Sequence, residues 1–304
     1  MTQSTGAQAL WAALSGAGVD ICFANPGTTE LDLVRGLESY DSIRCVVGLQ
    51  ENVCTGAADG YGRMLGRPAS TLLHLGPGFA NGIANLHNAR RARTPIINII
   101  GDHTSWHLPF DAPLTSDIES LARPVSDWVH RIASTQEVAA AAVDAVQQSN
   151  QAGGQGATLI YPADFQADAV PETATPSSSV LAPAEPTDNY ALSRAVERLR
   201  AGRKIVFVLG GGGELSGLGA RAQRATARLC EALGASAYAE TFPSRSERVQ
   251  GLAAFDRLPY FPEPARAALD PAGLVVLAGA LPPVTYFGYE GHPSALVEPE
   301  RVLP

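Results

Sequence analysis

The sequence predicts an α/β protein of two domains, each with a parallel sheet flanked by helices. Short apolar segments alternate with segments of helical periodicity, and glycine-rich connections join them. That alternation is typical of βαβ units, whose parallel strands are covered on both faces. A stretch rich in Pro, Ser, Thr and Ala interrupts the series. We therefore expect a first domain at 1–165, a linker at 166–189 and a second domain at 190–304.

The composition is that of a globular protein, with 304 residues, 45% hydrophobic and 17% charged. The net charge of −8 is not concentrated in blocks, so we expect neither nucleic acid nor membrane as a partner. The four cysteines lack paired or metal-ligand spacing and are interpreted as buried thiols of a reducing compartment. The sequence shows no signal peptide and no membrane-spanning run, which predicts a cytoplasmic protein.

Periodicity and turn residues place the elements of the first domain. We expect helices at 7–18, 30–37, 51–65, 81–91 and 134–148, and strands at 19–24, 43–49, 68–75, 95–100 and 157–161. Gly76-Pro77-Gly78 is interpreted as a turn before the fourth helix, and 106–125 as a Pro-rich loop.

The second domain shows the same alternation. We expect helices at 190–201 and 218–233 and strands at 204–209, 235–239 and 274–278. Gly210-Gly211-Gly212-Gly213 follows the first of these strands. Two interpretations stay open here, a tight crossover turn or a nucleotide site. Leu215 stands where the third glycine of a Gly-x-Gly-x-x-Gly motif belongs.

Polar residues follow four separate strands of the first domain: Asn25-Pro26-Gly27-Thr28, Gln50-Glu51, His74 and Asp102-His103. The carboxyl ends of parallel strands share one edge, where ligands bind. Glu51 is expected to begin a helix, where the dipole favours a carboxylate whether or not it has a function. Convergence of the four strand ends favours the functional interpretation. Imidazoles delivered to the same edge suit proton transfer near neutral pH.

Three ordered motifs of the first domain resemble thiamine-diphosphate-dependent enzymes of the acetolactate synthase and benzoylformate decarboxylase group. The motifs are Asn25-Pro26-Gly27-Thr28-Thr29-Glu30-Leu31, Glu51 with Gly56-Ala57-Ala58-Asp59-Gly60-Tyr61-Gly62-Arg63, and Gly76-Pro77-Gly78-Phe79-Ala80-Asn81-Gly82. The resemblance covers about the first 165 residues and, on weaker motifs, extends to the second domain as that family's middle domain.

The resemblance implies that residues 1–165 form the pyrimidine-binding domain of such an enzyme, acting on a small 2-keto acid as a decarboxylase or carboligase. Glu51 takes the place of the glutamate that hydrogen-bonds the cofactor's aminopyrimidine ring and helps to activate it. His74 matches a catalytic histidine of the decarboxylase branch. The implied site residues are Glu51, His74 and His103 as catalytic, Pro26, Gly27, Glu51, Gly78 and Asn81 as cofactor-binding, and Thr28 and His107 in the substrate pocket.

The sequence departs from the family pattern in several places. Histidines occur singly, at 103 and 107, where pyruvate decarboxylases carry a His-His pair, and Asn52 replaces the glutamine usual in acetolactate synthases. The Gly-Asp-Gly motif of the diphosphate-binding domain does not occur among the 304 residues. The expectation is that this domain, with Mg²⁺, is supplied by a separate chain, and that the present chain holds no metal and is inactive alone.

Two alternatives remain open, a fragment of a single-chain enzyme of the same family and a non-catalytic binding or regulatory subunit. Self-association is expected because the helices at 53–62 and 80–89 are rich in glycine and alanine, which suggests a heterotetramer-like assembly with the partner chain. FAD or ADP in the second domain is a further expectation from the resemblance.

Overall fold

The computed structural model describes residues 4–170, 189–201, 204–211 and 216–304. The chain forms two compact units, Met1–Pro183 and Ala184–Pro304, and the division falls within the predicted linker. Each unit is built on a parallel sheet with helices, so the predicted α/β fold class is confirmed. Most of the linker, at 171–188, lies outside the described residues.

The first unit alternates strands and helices from its beginning. Its helices are α1 (Gly6–Gly16), α2 (Leu31–Leu37), α3 (Glu51–Leu65), α4 (Leu75–Ala92), α5 (Ile118–Ala122), α6 (Val138–Ser149) and α7 (Ala163–Ala167). Its strands are β1 (Ile21–Asn25), β2 (Arg44–Val47), β3 (Ala69–Leu73), β4 (Ile96–Asp102), β5 (Trp128–Arg131) and β6 (Gly156–Pro162).

The six strands lie in the order β2-β1-β3-β4-β6-β5, and every pairing is parallel. The chain goes from β1 outward to the edge strand β2 and then crosses back to β3 on the other side of β1. The order therefore reverses between β1 and β3, which opens a crevice at their carboxyl ends. This crevice is where the fold places a ligand.

Apolar clusters cover both faces of this sheet. One contains residues of α1, α2 and α6 with Cys22 of β1, and the other contains residues of α3, α4 and α5 with Phe23 of β1 packed against it. Alternate residues of β1 thus serve opposite clusters, as the pleat of a strand requires. A sheet covered on both faces explains the nearly continuous apolar runs of β3, β4 and β6.

A buried row of polar side chains links the central strands. Thr71 Oγ1 donates to Asn98 Oδ1 at 2.9 Å, and Asn98 Nδ2 donates to Thr158 Oγ1 at 3.1 Å. Ser126 completes the row through a 2.6 Å hydrogen bond with Thr158. A one-residue slip of β4 would leave these buried groups unpaired, so the row fixes the strand register.

The second unit has a four-stranded parallel sheet in the order β10-β9-β7-β8. Its strands are β7 (Ile205–Leu209), β8 (Ser236–Ala239), β9 (Leu274–Ala278) and β10 (Val302–Leu303), and its helices are α8 (Asn189–Arg200), α9 (Ala220–Leu233) and α10 (Pro262–Leu269). The sequence did not predict α10 or the two-residue strand β10, because both are short.

The glycines after β7 lie close to neighbouring backbone. A side chain at Gly217 would come within 1.8 Å of the Ala278 carbonyl oxygen, and Gly211 adopts a φ of +78°. The N–H of Gly211 donates to Glu240 Oε1 at 2.8 Å. These contacts favour the tight crossover turn, while Gly212, Gly213 and Leu215 lie outside the described residues.

Several predicted boundaries in the first unit are wrong. Gly76-Pro77-Gly78 is not a turn before the helix but part of the first turn of α4, where proline is tolerated because its missing N–H has no intrahelical partner. The predicted loop at 106–125 contains α5, and the sequence did not predict β5 or α7. Structure also continues past residue 165, since the Gly6 N–H donates to the Asp168 carbonyl at 2.9 Å.

The expectation of buried cysteines also fails at one position. Cys22 and Cys54 are buried and Cys230 is half-buried, but Cys45 is exposed because β2 is an edge strand. None of the helices within the described ranges combines the length and the apolar character needed to cross a membrane.

Candidate functional site

The candidate site lies at the carboxyl ends of β1, β2 and β3. Asn25 ends β1, and its Nδ2 donates to the Gly48 carbonyl at 2.8 Å, which ties this strand to the segment between β2 and α3. The turn that follows holds Pro26 and Gly27, both half-buried, and Thr28, which is exposed. The structure therefore places these three predicted residues at the crevice that the strand order creates.

Glu30 is a fully buried carboxylate beneath this turn. Its Oε2 accepts a hydrogen bond of 2.7 Å from the Gly27 N–H, and its Oε1 accepts one of 2.7 Å from the Thr29 hydroxyl. Gly101 near the end of β4 leaves the room for it, since a side chain there would come within 1.8 Å of Glu30 Oε1. A buried charge is tolerated when it is hydrogen-bonded in this way.

His74 is the predicted site residue that Glu30 contacts. Its Nδ1 lies 2.8 Å from Glu30 Oε2 and 3.3 Å from the Thr29 hydroxyl. The ring packs against Gly27, where a Cβ atom would come within 2.4 Å of Nδ1. Leu75, which follows His74, has a φ of +51°, a conformation that is strained for a non-glycine residue. His74 is therefore held from two sides while 27% of its side chain stays exposed.

Glu51 is the first residue of α3, as predicted, and only 9% of it is exposed. Gln50 caps the helix by accepting a 2.7 Å hydrogen bond from the Asn52 N–H. Asn81 of α4 donates through Nδ2 to Glu51 Oε2 at 3.0 Å. Among the described residues, Oε1 has no protein donor. One oxygen of a nearly buried carboxylate thus stays available to a ligand.

Gly78 joins the two halves of the site. A Cβ atom at this position would lie 3.0 Å from Glu51 Oε1 and 3.3 Å from His74 Cβ. The backbone of the first turn of α4 therefore lies between Glu51 and His74. The structure brings Glu51, His74, Gly78 and Asn81 together around this turn, with Gly27 against His74.

His103 and His107 form a separate aromatic group beyond β4. Their ring centroids lie 5.5 Å apart, and His107 also contacts Trp106 at 5.6 Å and Phe110 at 5.9 Å. His103 Nε2 is buried without a hydrogen-bond partner among the described residues. Across those same ranges, neither ring makes a hydrogen bond with Glu51 or His74.

Two carboxylates of the site region stand in the sequence motifs without a predicted role. Glu30 belongs to a quoted motif, but an acidic residue near a helix start gives no signal of a histidine partner just beyond β3. Asp102 is fully buried and pairs with Arg131 Nη1 at 2.5 Å, while its Oδ1 accepts from the His103 N–H at 2.8 Å. In the described ranges, no group of three His, Cys, Asp or Glu side chains is arranged to hold a metal ion.

The arrangement suits a ligand that presents a ring nitrogen to a carboxylate. Glu51 offers one oxygen, and Asn81 orients the other. Gly78 and Gly27 place no side chain in front of these groups. Glu51 lies at the positive end of the α3 dipole, and its carboxylate oxygen can accept a hydrogen bond from a ligand.

Comparison with known proteins gives one family match, over residues 4–121. The family is described as thiamine pyrophosphate enzyme, N-terminal TPP binding domain. The matched range includes every predicted site residue of the first domain.

Two curated relatives resemble larger parts of the chain. A putative acetolactate synthase large subunit of Mycobacterium tuberculosis is 46% identical over 295 residues, which cover 96% of this chain and 55% of the relative. A benzoylformate decarboxylase of Pseudomonas aeruginosa is 30% identical over 199 residues, which cover 64% of this chain and 37% of the relative. The chain thus spans about half of the first relative and less of the second.

Two solved structures share the fold over nearly the whole chain. One is a putative thiamin diphosphate-dependent enzyme from Mycobacterium smegmatis, with a TM-score of 0.82 and 26% identity, covering 99% of this chain and 56% of that one. The other is a 4-hydroxybenzoylformate decarboxylase from Rhodococcus jostii, with a TM-score of 0.81 and 22% identity, covering 98% and 56%. The second match shows the fold alone.

Proposed function

We propose, from the premise that this chain belongs to the thiamine-pyrophosphate-dependent enzyme family, that its first unit activates the cofactor of a 2-keto acid decarboxylase or carboligase. The chain would bind the aminopyrimidine half of thiamine diphosphate. When bound, the cofactor supplies an electron sink for the loss of CO₂ from the keto acid. The observation that carries the proposal is the nearly buried Glu51 carboxylate, one oxygen of which accepts from no donor among the residues that the structure describes.

Glu51 would accept the hydrogen bond of a pyrimidine ring nitrogen through Oε1. Asn81 would keep the carboxylate in one orientation by its 3.0 Å hydrogen bond to Oε2. Gly78 would allow the ring to lie against the first turn of α4, because a side chain there would contact Glu51 Oε1. Pro26 and Gly27 would border the ring from the turn after β1.

His74 would hold or move a proton on the substrate side. Glu30 is a buried carboxylate 2.8 Å from Nδ1, so it favours the tautomer with the proton on Nδ1 and leaves Nε2 to meet a ligand. Thr28, which is exposed on the turn after β1, would contact the keto acid. His103 and His107 would border the substrate from the loop after β4. Nε2 of His103, which has no hydrogen-bond partner within the described ranges, can meet a polar group there.

The diphosphate and Mg²⁺ would be held outside these 304 residues, on a separate chain. The Gly-Asp-Gly motif that the resemblance assigns to this task is absent from the sequence. The glycine- and alanine-rich helices α3 and α4 would pack against a second copy, giving a heterotetramer-like assembly. FAD or ADP in the second unit remains a prediction, and the contact between Gly211 and Glu240 favours a structural turn there.

The test combines this chain with the protein encoded beside it, in the presence of thiamine diphosphate and Mg²⁺. Sedimentation measures the complex, and a panel of 2-keto acids measures decarboxylation. We expect activity in the complex, and a loss of about 10²–10³-fold in kcat for Glu51→Gln. Glu38→Gln is the matched control, because Glu38 is an exposed glutamate at the end of α2.

The outcomes test the role of Glu51, the need for a separate diphosphate-binding chain, and the alternative of a non-catalytic subunit. An active complex in which Glu51→Gln keeps the full rate contradicts the assigned role of Glu51. Turnover by the chain without a partner contradicts the separate diphosphate-binding chain. A third outcome supports a non-catalytic subunit. In it the chain binds its partner, the complex turns over no keto acid, and Glu51→Gln leaves the biological activity of the complex intact.

A further inference from the structure

Two cysteines face each other on adjacent strands of the first sheet. Cys22 of β1 and Cys45 of β2 are direct register partners in a parallel pair, and both are free thiols. Neighbouring strands lie about 4.8 Å apart, and register partners point to the same face. A disulfide requires Cα atoms about 4.4–6.8 Å apart. The usual spacing of neighbouring strands therefore lies within the Cα range that a bond between these two residues requires.

The two thiols differ in exposure and in charge. Cys22 is fully buried, whereas Cys45 is exposed at the edge of the sheet. The neighbouring Cys22 thiol lowers the pKa of Cys45 to about 7, although partial burial opposes this. The proximity of Cys45, together with burial, raises the pKa of Cys22 well above its usual value. Cys45 thus has an accessible sulfur with strong thiolate character.

The remaining cysteines lack these properties. Cys54 belongs to the apolar cluster of α3, α4 and α5, on the opposite face from the cluster that contains Cys22. Burial raises the pKa of Cys54 and of Cys230, which lies in the second unit. Both are therefore weaker nucleophiles at neutral pH and serve as internal controls.

We propose that Cys45 and Cys22 form a peroxide-reactive pair, in which Cys45 is the nucleophile and Cys22 the resolving thiol. A hydroperoxide is the oxidant. The product is an intramolecular disulfide that joins β1 to β2. This proposal is independent of the cofactor chemistry above, since it concerns thiols on the opposite face from α3 and α4.

The chemistry balances in two steps. The Cys45 thiolate attacks the outer oxygen of the hydroperoxide, the O–O bond breaks, and hydroxide or alkoxide leaves, which gives a sulfenic acid at Cys45. Cys22 sulfur then attacks the Cys45 sulfur, its proton passes to the departing hydroxyl, and water leaves. The peroxide is reduced by two electrons, and the two thiols are oxidised by two electrons. A thiol reductant reverses the product.

The bond would act on the strands that carry the candidate site. Three residues beyond Cys22, Asn25 ends β1 and hydrogen-bonds the Gly48 carbonyl. Six residues beyond Cys45, Glu51 begins α3. A disulfide between these strands closes a loop in the unfolded chain, and we expect it to raise the Tm of the first unit.

The experiment treats the reduced 304-residue chain with hydrogen peroxide at neutral pH and maps disulfides by non-reducing peptide mass spectrometry. We expect a Cys22–Cys45 peptide pair, lighter by two hydrogens than the sum of the thiol peptides, and its reversal by dithiothreitol. Cys45→Ser should abolish it. Cys22→Ala should stop at a sulfenic acid that dimedone traps. Cys54→Ser and Cys230→Ser should oxidise like the wild type.

A second measurement does not depend on the variants. Iodoacetamide should alkylate Cys45 of the folded wild-type chain at least about 10-fold faster than Cys54 and Cys230 at neutral pH. Equal alkylation rates overturn the proposal, and so does a peroxide product that joins any other pair of cysteines. Oxidation of Cys54 or Cys230 before Cys45 overturns it as well.

Discussion

Nδ1 of His74 lies 2.8 Å from Oε2 of Glu30, although 44 positions separate the two residues in the sequence. The contact joins the turn after β1 to the end of β3, the two strands between which the sheet order reverses. Because Glu30 is fully buried and also accepts from the Gly27 N–H, it is a fixed support. The orientation of the imidazole is therefore set before any ligand arrives.

Replacing Glu30 tests whether the function of His74 depends on their hydrogen bond. We expect Glu30→Gln to lower kcat by about 10–100-fold, since a neutral amide no longer favours the proton on Nδ1. Cofactor affinity should change little, because Glu51 and Asn81 are not altered. The control is His87→Gln on the exposed side of α4, and an unchanged kcat for Glu30→Gln would refute the role.

Gly27 has no room for a side chain. A methyl group in Gly27→Ala would meet the His74 ring within 2.4 Å, so we expect lower activity and a lower Tm. Gly60→Ala is the matched control, because a Cβ atom there meets nothing within 4 Å in the middle of α3. It should stabilise the chain by about 0.5–1 kcal/mol. Thermal unfolding measures the Tm of both variants. If the two Tm values shift equally and in the same direction, the prediction is contradicted.

Asn81 is predicted to control cofactor binding through Glu51. Asn81→Asp replaces the donor at 3.0 Å from Glu51 Oε2 with a second carboxylate, and like charges at this distance repel. We expect the affinity for thiamine diphosphate to fall by about 10-fold or more, measured by calorimetry in the complex. Asn88→Asp carries the same change to an exposed position further along α4. Equal affinities of the two variants would refute the contact.

Asp20 gives a prediction of stability against pH. Burial opposes the change, but hydrogen bonds from Tyr61 and Arg67 lower the pKa of Asp20. The stabilisation from the lowered pKa is present above the pKa of the unfolded chain and is lost as the pH falls through the folded value. Tyr61→Phe removes the 2.5 Å hydrogen bond. Since Asp20 is 42% exposed, we expect a cost of only about 0.5 kcal/mol at pH 7.

Denaturant unfolding at several pH values measures this difference. The difference in unfolding free energy between wild type and Tyr61→Phe should become smaller in acid, because Asp20 becomes protonated in both proteins. Tyr40→Phe is the control, because the Tyr40 hydroxyl makes no hydrogen bond within the described ranges. If this difference in unfolding free energy becomes larger in acid, the predicted direction of the pH dependence is wrong.

The sequence predicted those parts of the site that depend on local signals. Helix α3 is predicted at 51–65, because an apolar strand leads to an acidic first residue and a segment of helical spacing follows it. The structure gives the helix the same bounds, and Gly66 ends it in a left-handed conformation. The turn at Gly76-Pro77-Gly78 was wrong for a tertiary reason. These glycines serve close packing, since a side chain at Gly76 would meet Ser116 within 2.2 Å.

Other features depend on contacts between distant segments. Nothing near Glu30 in the sequence indicates that the histidine after β3 contacts it, so the role of Glu30 was not predicted. The exposure of Cys45 depends on strand order, and a β2 in the middle of the sheet would have been buried. The spacing of apolar residues gives the elements but not their order, because each crossover allows a move to either side of the first strand.

The position of β2 has a consequence for handling the purified chain. Within the described residues it pairs with β1 alone, so its outer N–H and C=O groups form an open edge. Val47 is 69% exposed and Leu49, just beyond the strand, is 97% exposed. An apolar open edge is a template for strand addition by another molecule, which leads to aggregation. We therefore expect the purified chain to aggregate more at higher concentration, and Val47→Lys to reduce that aggregation by placing a charge on the open edge.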